Sequence, residues 1–176
     1  MKRFTDSIRS ALRERNWYAA LALALAMPDI CGNIDQPNAG SGARYADWFD
    51  VWMGHHYRRR GPDNWPEHAR NHTFMTGSDC YALRCSFLHA GEGDVAGKAQ
   101  LVRDALDKFR FIAPPLQRHC NQSGRALELQ VDIFCAQMAD QVDAWESTKQ
   151  GDAGYEAAKL NLLVIYGPGT PGVESF

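Results

Sequence analysis

The chain has 176 residues, of which 45% are apolar, 11% aromatic and 23% charged, and its formal net charge is -2. This size and composition are typical of one globular domain spanning residues 1–176, and they exclude a disordered chain. The small net charge provides no whole-protein attraction to nucleic acid or membranes, so any affinity for a polyanion must come from a local patch.

The N-terminal segment predicts one long helix over residues 5–26. Its first half carries an apolar stripe, and residues 17–27 are apolar on all sides, as in a central core helix. Basic residues before this run imitate a signal peptide. However, Asp6 and Glu14 interrupt them, and the run is shorter than the ~20 residues of a membrane span. We therefore expect a buried helix that ends at Pro28, where a loop rich in glycine and proline begins, and no membrane segment.

A second helix is predicted over residues 43–53, because four aromatic side chains recur on one helical face. That face most simply belongs to the core, with an aromatic platform for a cofactor as the alternative. Residues 54–77 lose all periodicity and predict a long, exposed, basic loop. Its "HHYRRR" stretch could follow a phosphate backbone and stack a base, which makes four residues candidates for binding RNA or a nucleotide: Tyr57, Arg58, Arg59 and Arg60.

The third helix begins near Thr76 or Ser78, either of which can cap it, and ends before Gly91. It contains Arg84 and His89 in the spacing R-x4-H. On a regular helix, five steps of about 100° leave these side chains roughly 140° apart. Either the last turn loosens, or two copies of the helix meet about a two-fold axis and their side chains line one cleft.

The remaining segments predict a mainly α-helical bundle with a small β-hairpin. Helices are expected over residues 94–107, 131–145 and 155–165, followed by a flexible tail over residues 167–176. Residues 108–113 and 126–131 alternate with period two and are expected to pair as the hairpin. His119, with Cys120 beside it in the connecting turn, is a further candidate for lining a ligand pocket.

Five cysteines in an odd set without a C-x-x-C pair indicate free thiols and a cytoplasmic protein. We expect no metal, because the two cysteines of the third helix lie five positions apart on different faces and the His68–His72 pair lacks the H-E-x-x-H order. No cofactor is expected, since the phosphate-binding and dinucleotide-binding glycine motifs are absent from the sequence, as is the hydrolase G-x-S-x-G motif.

The segment "LRCSFLHAG", which contains Arg84 and His89, resembles the motif of HEPN domains, helical bundles that often carry R-x(4–6)-H near the end of a central helix. The resemblance implies a homodimeric, metal-independent endoribonuclease of a bacterial or phage conflict system, such as a toxin–antitoxin pair. Arg84 would clamp the phosphate, and His89 would act as general base or acid. An imidazole suits both roles, because its ordinary pKa is about 6.5.

Two other functions stay open at this point. Cys85 follows the arginine where many family members carry a polar residue, and some HEPN-like proteins bind nucleotides without cutting RNA. The chain could therefore hold a nucleotide signal as a sensor or sponge. It could also be an antitoxin-like partner of a neighbour-encoded protein, with an incidental motif. In that case Arg84 would be solvated or pair with Asp79 or Glu92, and His89 would cap the helix.

Overall fold

The computed structural model describes residues 1–66, 70–95 and 106–167, and the chain is mainly α-helical. In chain order the helices are α1 (Lys2–Arg13), α2 (Trp17–Asp35), α3 (Ser41–Trp52), α4 (Gly77–Ala90), α5 (Val131–Ser147) and α6 (Ala153–Leu160). A short 3₁₀ helix, Gly54–Tyr57, leads into the strands β1 (Arg58–Arg60) and β2 (Asn71–Thr73). The remaining strands are β3 (Lys108–Ile112), β4 (Asn121–Ser123) and β5 (Ala126–Gln130).

The predicted first helix is wrong in its extent, because the segment forms two helices. Arg15 takes a left-handed conformation with a φ of 55°, which ends α1. The Asn16 side chain then accepts a hydrogen bond from the Ala19 amide at 3.3 Å and starts α2. Pro28 lies inside α2, which continues to Asp35, so the predicted loop begins eight residues later than expected. Pro28 is buried, so tertiary packing around it holds the helix together across the proline.

α2 is the central helix of the bundle and contacts α1, α3, α4, α5 and α6. Within the described residues it is also the one helix long and apolar enough to span a membrane, and 44% of its apolar window is buried. Its contacts on several sides are those of a core helix, as the sequence predicted. The remaining residues of the window are mostly half-buried, among them Ala22 and Ala26.

The aromatic face of α3 and the apolar stripe of α5 are confirmed as core. Tyr45, Trp48 and Phe49 are buried on α3. The predicted residues of α5 are also buried, and these are Phe134, Met138, Val142 and Trp145. α6 is shorter than predicted, since it ends at Leu160 rather than at residue 165.

The predicted hairpin is wrong in its pairing. β3 and β5 form as strands, but they run parallel, with Phe109 opposite Leu127 and Phe111 opposite Leu129. β4 pairs antiparallel with the other edge of β5, giving the order β3-β5-β4. The connection over residues 113–125 is long enough to cross over, which allows the parallel arrangement to bring the apolar side chains of β3 and β5 together.

The long loop predicted over residues 54–77 contains the 3₁₀ helix and a two-stranded antiparallel sheet, in which Arg59 lies opposite His72. Most of the helix predicted over residues 94–107 lies outside the described residues. Near the two ends of this predicted segment, one hydrogen bond joins the Val95 amide to the Asp107 carbonyl at 2.8 Å. The predicted tail lies outside the described residues apart from Gly167.

Candidate RNA-binding and catalytic site

Arg84 and His89 lie on one uninterrupted helix. Thr76 and Asp79 form a capping box at the start of α4, and Gly91 ends it in a left-handed conformation with a φ of 72°. The helix continues through Ala90, so its last turn does not loosen in the way that would bring the two side chains together. Within one chain they leave the helix roughly 140° apart.

Arg84 is held by an acidic residue that the sequence reasoning did not identify. Its Nη2 lies 2.6 Å from Oδ2 of Asp29 on α2, and the two side chains are 25% and 16% exposed. Burial acts to lower the pKa of Arg84, but Asp29 and Cys85 outweigh it, and the pKa lies above its ordinary value. The guanidinium is therefore charged, oriented and partly accessible. The partner of Arg84 is therefore Asp29, and not Asp79 or Glu92 as was expected. The Asp79 carboxylate instead accepts hydrogen bonds from Thr76 and from the Leu106 amide.

His89 lies exposed in the last turn of α4. Its side chain makes no hydrogen bond or ion pair with the described residues. The imidazole is therefore available to a ligand or to a second chain.

The surface around Arg84 is apolar and incompletely covered. Tyr81, Cys85 and Leu88 share the face of Arg84 at helical spacing, and Leu88 is 39% exposed. On α2, the half-buried Ala22 and Ala26 share the face of Asp29 at the same spacing. The Arg84–Asp29 ion pair therefore lies between two partly exposed stripes of small and apolar side chains.

Tyr57 is not part of an exposed surface, which corrects the prediction that it stacks on a base. Its exposed fraction is 0%, its ring stacks on Phe49 with the centroids 5.7 Å apart, and its hydroxyl donates to Gln137 at 3.1 Å. The tyrosine points inward because Phe49, Phe134 and the surrounding core accept its ring. It positions the basic strand that follows it.

The three arginines of β1 are exposed, as predicted, and each has a neighbour. Arg60 pairs with Asp63 at 3.0 Å, and Arg58 lies 3.7 Å from Asp50. The Arg59 guanidinium lies over the Trp65 ring, 5.8 Å from its centroid. Because side chains alternate along a strand, Arg58 and Arg60 share one face and Arg59 lies on the other. The patch is basic, but its carboxylate partners reduce the attraction for phosphate.

His119 is half-buried, and its ring centroid lies 5.9 Å from that of Tyr57. Its Nδ1 accepts from the Gln130 amide at 3.3 Å, and its Nε2 is buried without a hydrogen-bond partner among the described residues. Burial lowers the pKa of His119, against the opposing effect of Asp132. The pKa of its neighbour Cys120 is raised to about 11, also by burial, so this thiol is a weak nucleophile.

His56 joins His119 in a cluster that sequence reasoning did not select. Its Nε2 lies 3.3 Å from Nε2 of Gln141 on α5. Burial lowers the pKa of His56, and the positive charges that His55 and His119 can carry lower it further. We call His55, His56 and His119 the histidine cluster. The consecutive histidines were a visible signal in the sequence, but their proximity to His119 depends on the fold.

Among the described residues, no group of three or more histidine, cysteine, aspartate or glutamate side chains is arranged to hold a metal ion. His68 lies outside the described residues, and its predicted neighbour His72 bonds instead to Gln122 at 3.0 Å. All five cysteines are free thiols.

Comparison with models of protein families, with curated proteins and with solved structures finds no match to this chain. The function therefore has to be argued from the residues and their geometry.

Proposed function

We propose that this chain is a HEPN-like, metal-independent endoribonuclease that acts as a homodimer in bacterial or phage conflict. Its active cleft forms where the α4 helices of two copies meet about a two-fold axis. The observation that carries the proposal is that Asp29 holds a partly accessible Arg84 on a partly exposed apolar face, while His89 on the same helix has no partner among the described residues. The free thiols support a cytoplasmic location.

The homodimer follows from two properties of this surface. Apolar side chains such as Leu88 and Tyr81 gain about 25 cal/mol for each Å² that a second copy removes from water. A two-fold contact along α4 would also overcome the angle between Arg84 and His89, because the arginine of one copy can approach the histidine of the other. Asp29 offsets part of the repulsion between two arginines near the axis.

The proposed cleavage uses the 2′-hydroxyl of RNA as its nucleophile. One His89 accepts the hydroxyl proton as the 2′-oxygen bonds to phosphorus. The bond from phosphorus to the 5′-oxygen then breaks, and that leaving oxygen takes its proton from water. Arg84 stabilises the extra negative charge on the phosphoryl oxygens. The products carry a 2′,3′-cyclic phosphate and a 5′-hydroxyl.

Cleavage of RNA in the presence of EDTA tests the proposal. We expect His89→Ala and Arg84→Ala to lose about 10²–10⁴-fold in rate. The controls His55→Ala and Arg3→Ala remove an exposed histidine and an exposed arginine elsewhere and should retain wild-type activity. Equal cleavage by all five proteins, or products with a 3′-hydroxyl, would contradict the proposed site.

The two-fold arrangement has its own test. Mixing the inactive Arg84→Ala and His89→Ala proteins should raise activity above that of either alone, because a mixed dimer contains one arginine and one histidine on different chains. Leu88→Asp should yield a monomer in light scattering and lose activity, whereas Leu116→Asp, at another exposed leucine, should not. A fully active monomer would exclude the shared cleft.

The strong Arg84–Asp29 pair also supports a second candidate, in which the same cleft binds a nucleotide signal without cutting RNA. Because Arg84 is already paired with Asp29 at 2.6 Å, its guanidinium stabilises the negative charge of a transition state less strongly, but it can still orient a phosphate. In that case no RNA is cleaved, and a nucleotide raises the melting temperature of the wild type but not of Arg84→Ala.

A further inference from the structure

A second concave surface lies at the opposite end of α2 from the Arg84–Asp29 pair. It encloses about 500 Å³ between the turn that joins α1 to α2 and the loop that follows β3. Trp17 in this surface and Asp29 are 12 residues apart on α2, which corresponds to about 18 Å along the helix. The two surfaces are therefore separate sites. The lining residues are Leu12, Arg13, Arg15, Trp17, Pro114 and Pro115.

Two arginines in this lining have no acidic partner within the described part of the chain. Arg13 and Arg15 are both exposed. Arg9, one turn earlier on α1, contrasts with them because it pairs with Asp140 and Asp143 at 2.7 and 2.8 Å. Two guanidinium groups beside one cavity, neither of them in an ion pair with a carboxylate of the described residues, create a positive site that suits a phosphate group.

The backbone conformation of Arg15 is unusual for a residue that carries a side chain. Its φ of 55° is left-handed, where glycine is normally favoured at the end of a helix. The turn is closed by hydrogen bonds from the Arg15 amide to Leu12 and from the Asn16 amide to Ala11. A glycine would form this turn without strain, and strained non-glycine residues are typical of ligand-binding positions.

An aromatic wall continues from the two arginines. Trp17 lines both this cavity and an adjoining apolar one of about 160 Å³, which also includes Tyr18 and Phe111. The Trp17 side chain is half-buried and thus held in place, and Tyr18 beside it is 78% exposed. A fixed indole next to a cationic site offers a stacking surface for a planar base.

We propose that this surface, which we call the Arg13–Trp17 groove, binds a phosphorylated nucleoside. Arg13 and Arg15 hold the phosphate, and the base stacks on Trp17. The ligand is a free mononucleotide or the phosphorylated end of an RNA strand, which share this chemistry. The site goes beyond the proposed cleavage and uses neither Arg84 nor His89.

Titration calorimetry with AMP, adenosine, inorganic phosphate and a 5′-phosphorylated RNA trinucleotide tests the groove. We expect AMP or the trinucleotide to bind at least about tenfold more tightly than adenosine or phosphate alone. If AMP and the trinucleotide bind with equal affinity, the ligand of the groove is a free nucleotide. If the trinucleotide binds much more tightly than AMP, the ligand is the end of an RNA strand.

Variants then locate the binding. Arg13→Ala and Arg15→Ala should each weaken it roughly tenfold, and Trp17→Leu should weaken it while keeping an apolar side chain. Arg3→Ala, which removes the same charge elsewhere on α1, and His89→Ala should both bind as the wild type does. Equal weakening by Arg3→Ala, or no binding by any probe at millimolar concentration, would overturn the proposal. His89→Ala should leave binding in the groove unchanged but abolish RNA cleavage, so the two proposals can fail independently.

Discussion

At the scale of single residues, what a side chain can do here is decided by its neighbours. Arg84 and Arg13 are both arginines on helices, yet Asp29 orients one of them and no carboxylate of the described chain meets the other. Tyr57 occurs in a basic stretch of sequence and is nevertheless fully buried. Residue type therefore indicates a chemistry, while the partner determines whether that chemistry is available at the surface.

The variant Arg15→Gly distinguishes the effect of the backbone conformation of this residue from the effect of its side chain. We expect the variant to raise the free energy of unfolding by about 1 kcal/mol, because glycine adopts a positive φ without steric cost. It should at the same time weaken binding in the Arg13–Trp17 groove. Urea unfolding and calorimetry measure the two effects. The matched Arg13→Gly variant, placed in the last turn of α1, should instead lose about 1 kcal/mol. A loss of stability in Arg15→Gly would show that the arginine is structural.

At the scale of elements, the ends of α4 are determined by local chemistry. The Thr76 hydroxyl accepts from the Asp79 amide at 3.2 Å, and the Asp79 carboxylate accepts from the Thr76 amide and hydroxyl. Asp79 is also 1% exposed and accepts from the Leu106 amide at 3.0 Å, which connects the helix to the start of β3. This carboxylate therefore does more than cap a helix.

Thr76→Ala and Asp79→Ala should differ in their cost. We expect Thr76→Ala to lower the free energy of unfolding by about 1 kcal/mol, as for other N-cap residues. Asp79→Ala should cost about 3 kcal/mol, because it also leaves buried amides without their charged acceptor. Ser78→Ala, at a neighbouring position without such contacts, should stay within about 0.5 kcal/mol. Chemical denaturation measures all three, and an Asp79→Ala cost no larger than that of Ser78→Ala would contradict the assigned role.

At the scale of the whole molecule, packing brings together groups that are far apart in the chain. The histidine cluster combines the 3₁₀ helix with the segment before β4, and α5 provides Gln141 and Asp140 beside it. Asp132 lies near His119 and opposes the lowering of its pKa. Because the pKa of both His56 and His119 is lowered on folding, the unfolded chain binds protons more readily than the native one.

The sign of the pH dependence follows from this difference. A histidine whose pKa is lowered on folding contributes stability above its unfolded pKa of about 6.5, and that contribution is lost as the pH falls through the folded pKa. We therefore expect the melting temperature to fall as the pH is lowered from 7 to 5. The double variant His56→Gln/His119→Gln should show a flatter profile. If the melting temperature of the wild type and of the double variant changed with pH in the same way, His56 and His119 would not be the source of the pH dependence.

The sequence alone determined the helical class, the buried faces of α3 and α5, a cap at Thr76 or Ser78 and the stop at Gly91. These features depend on a residue and on neighbours a few positions away, where helical periodicity and capping chemistry act directly. It did not determine the break after α1, because an arginine in a left-handed turn runs against the usual preference for glycine.

Only the tertiary structure decided that β3 and β5 run parallel, that Tyr57 is buried, and that Asp29 rather than Asp79 or Glu92 pairs with Arg84. It also brought Trp17 next to Pro114 to form the groove beside Arg13 and Arg15. Each of these contacts joins residues distant in the chain, and its free energy depends on how the apolar faces pack together. A local pattern carries no information about which distant group will fill the space beside it.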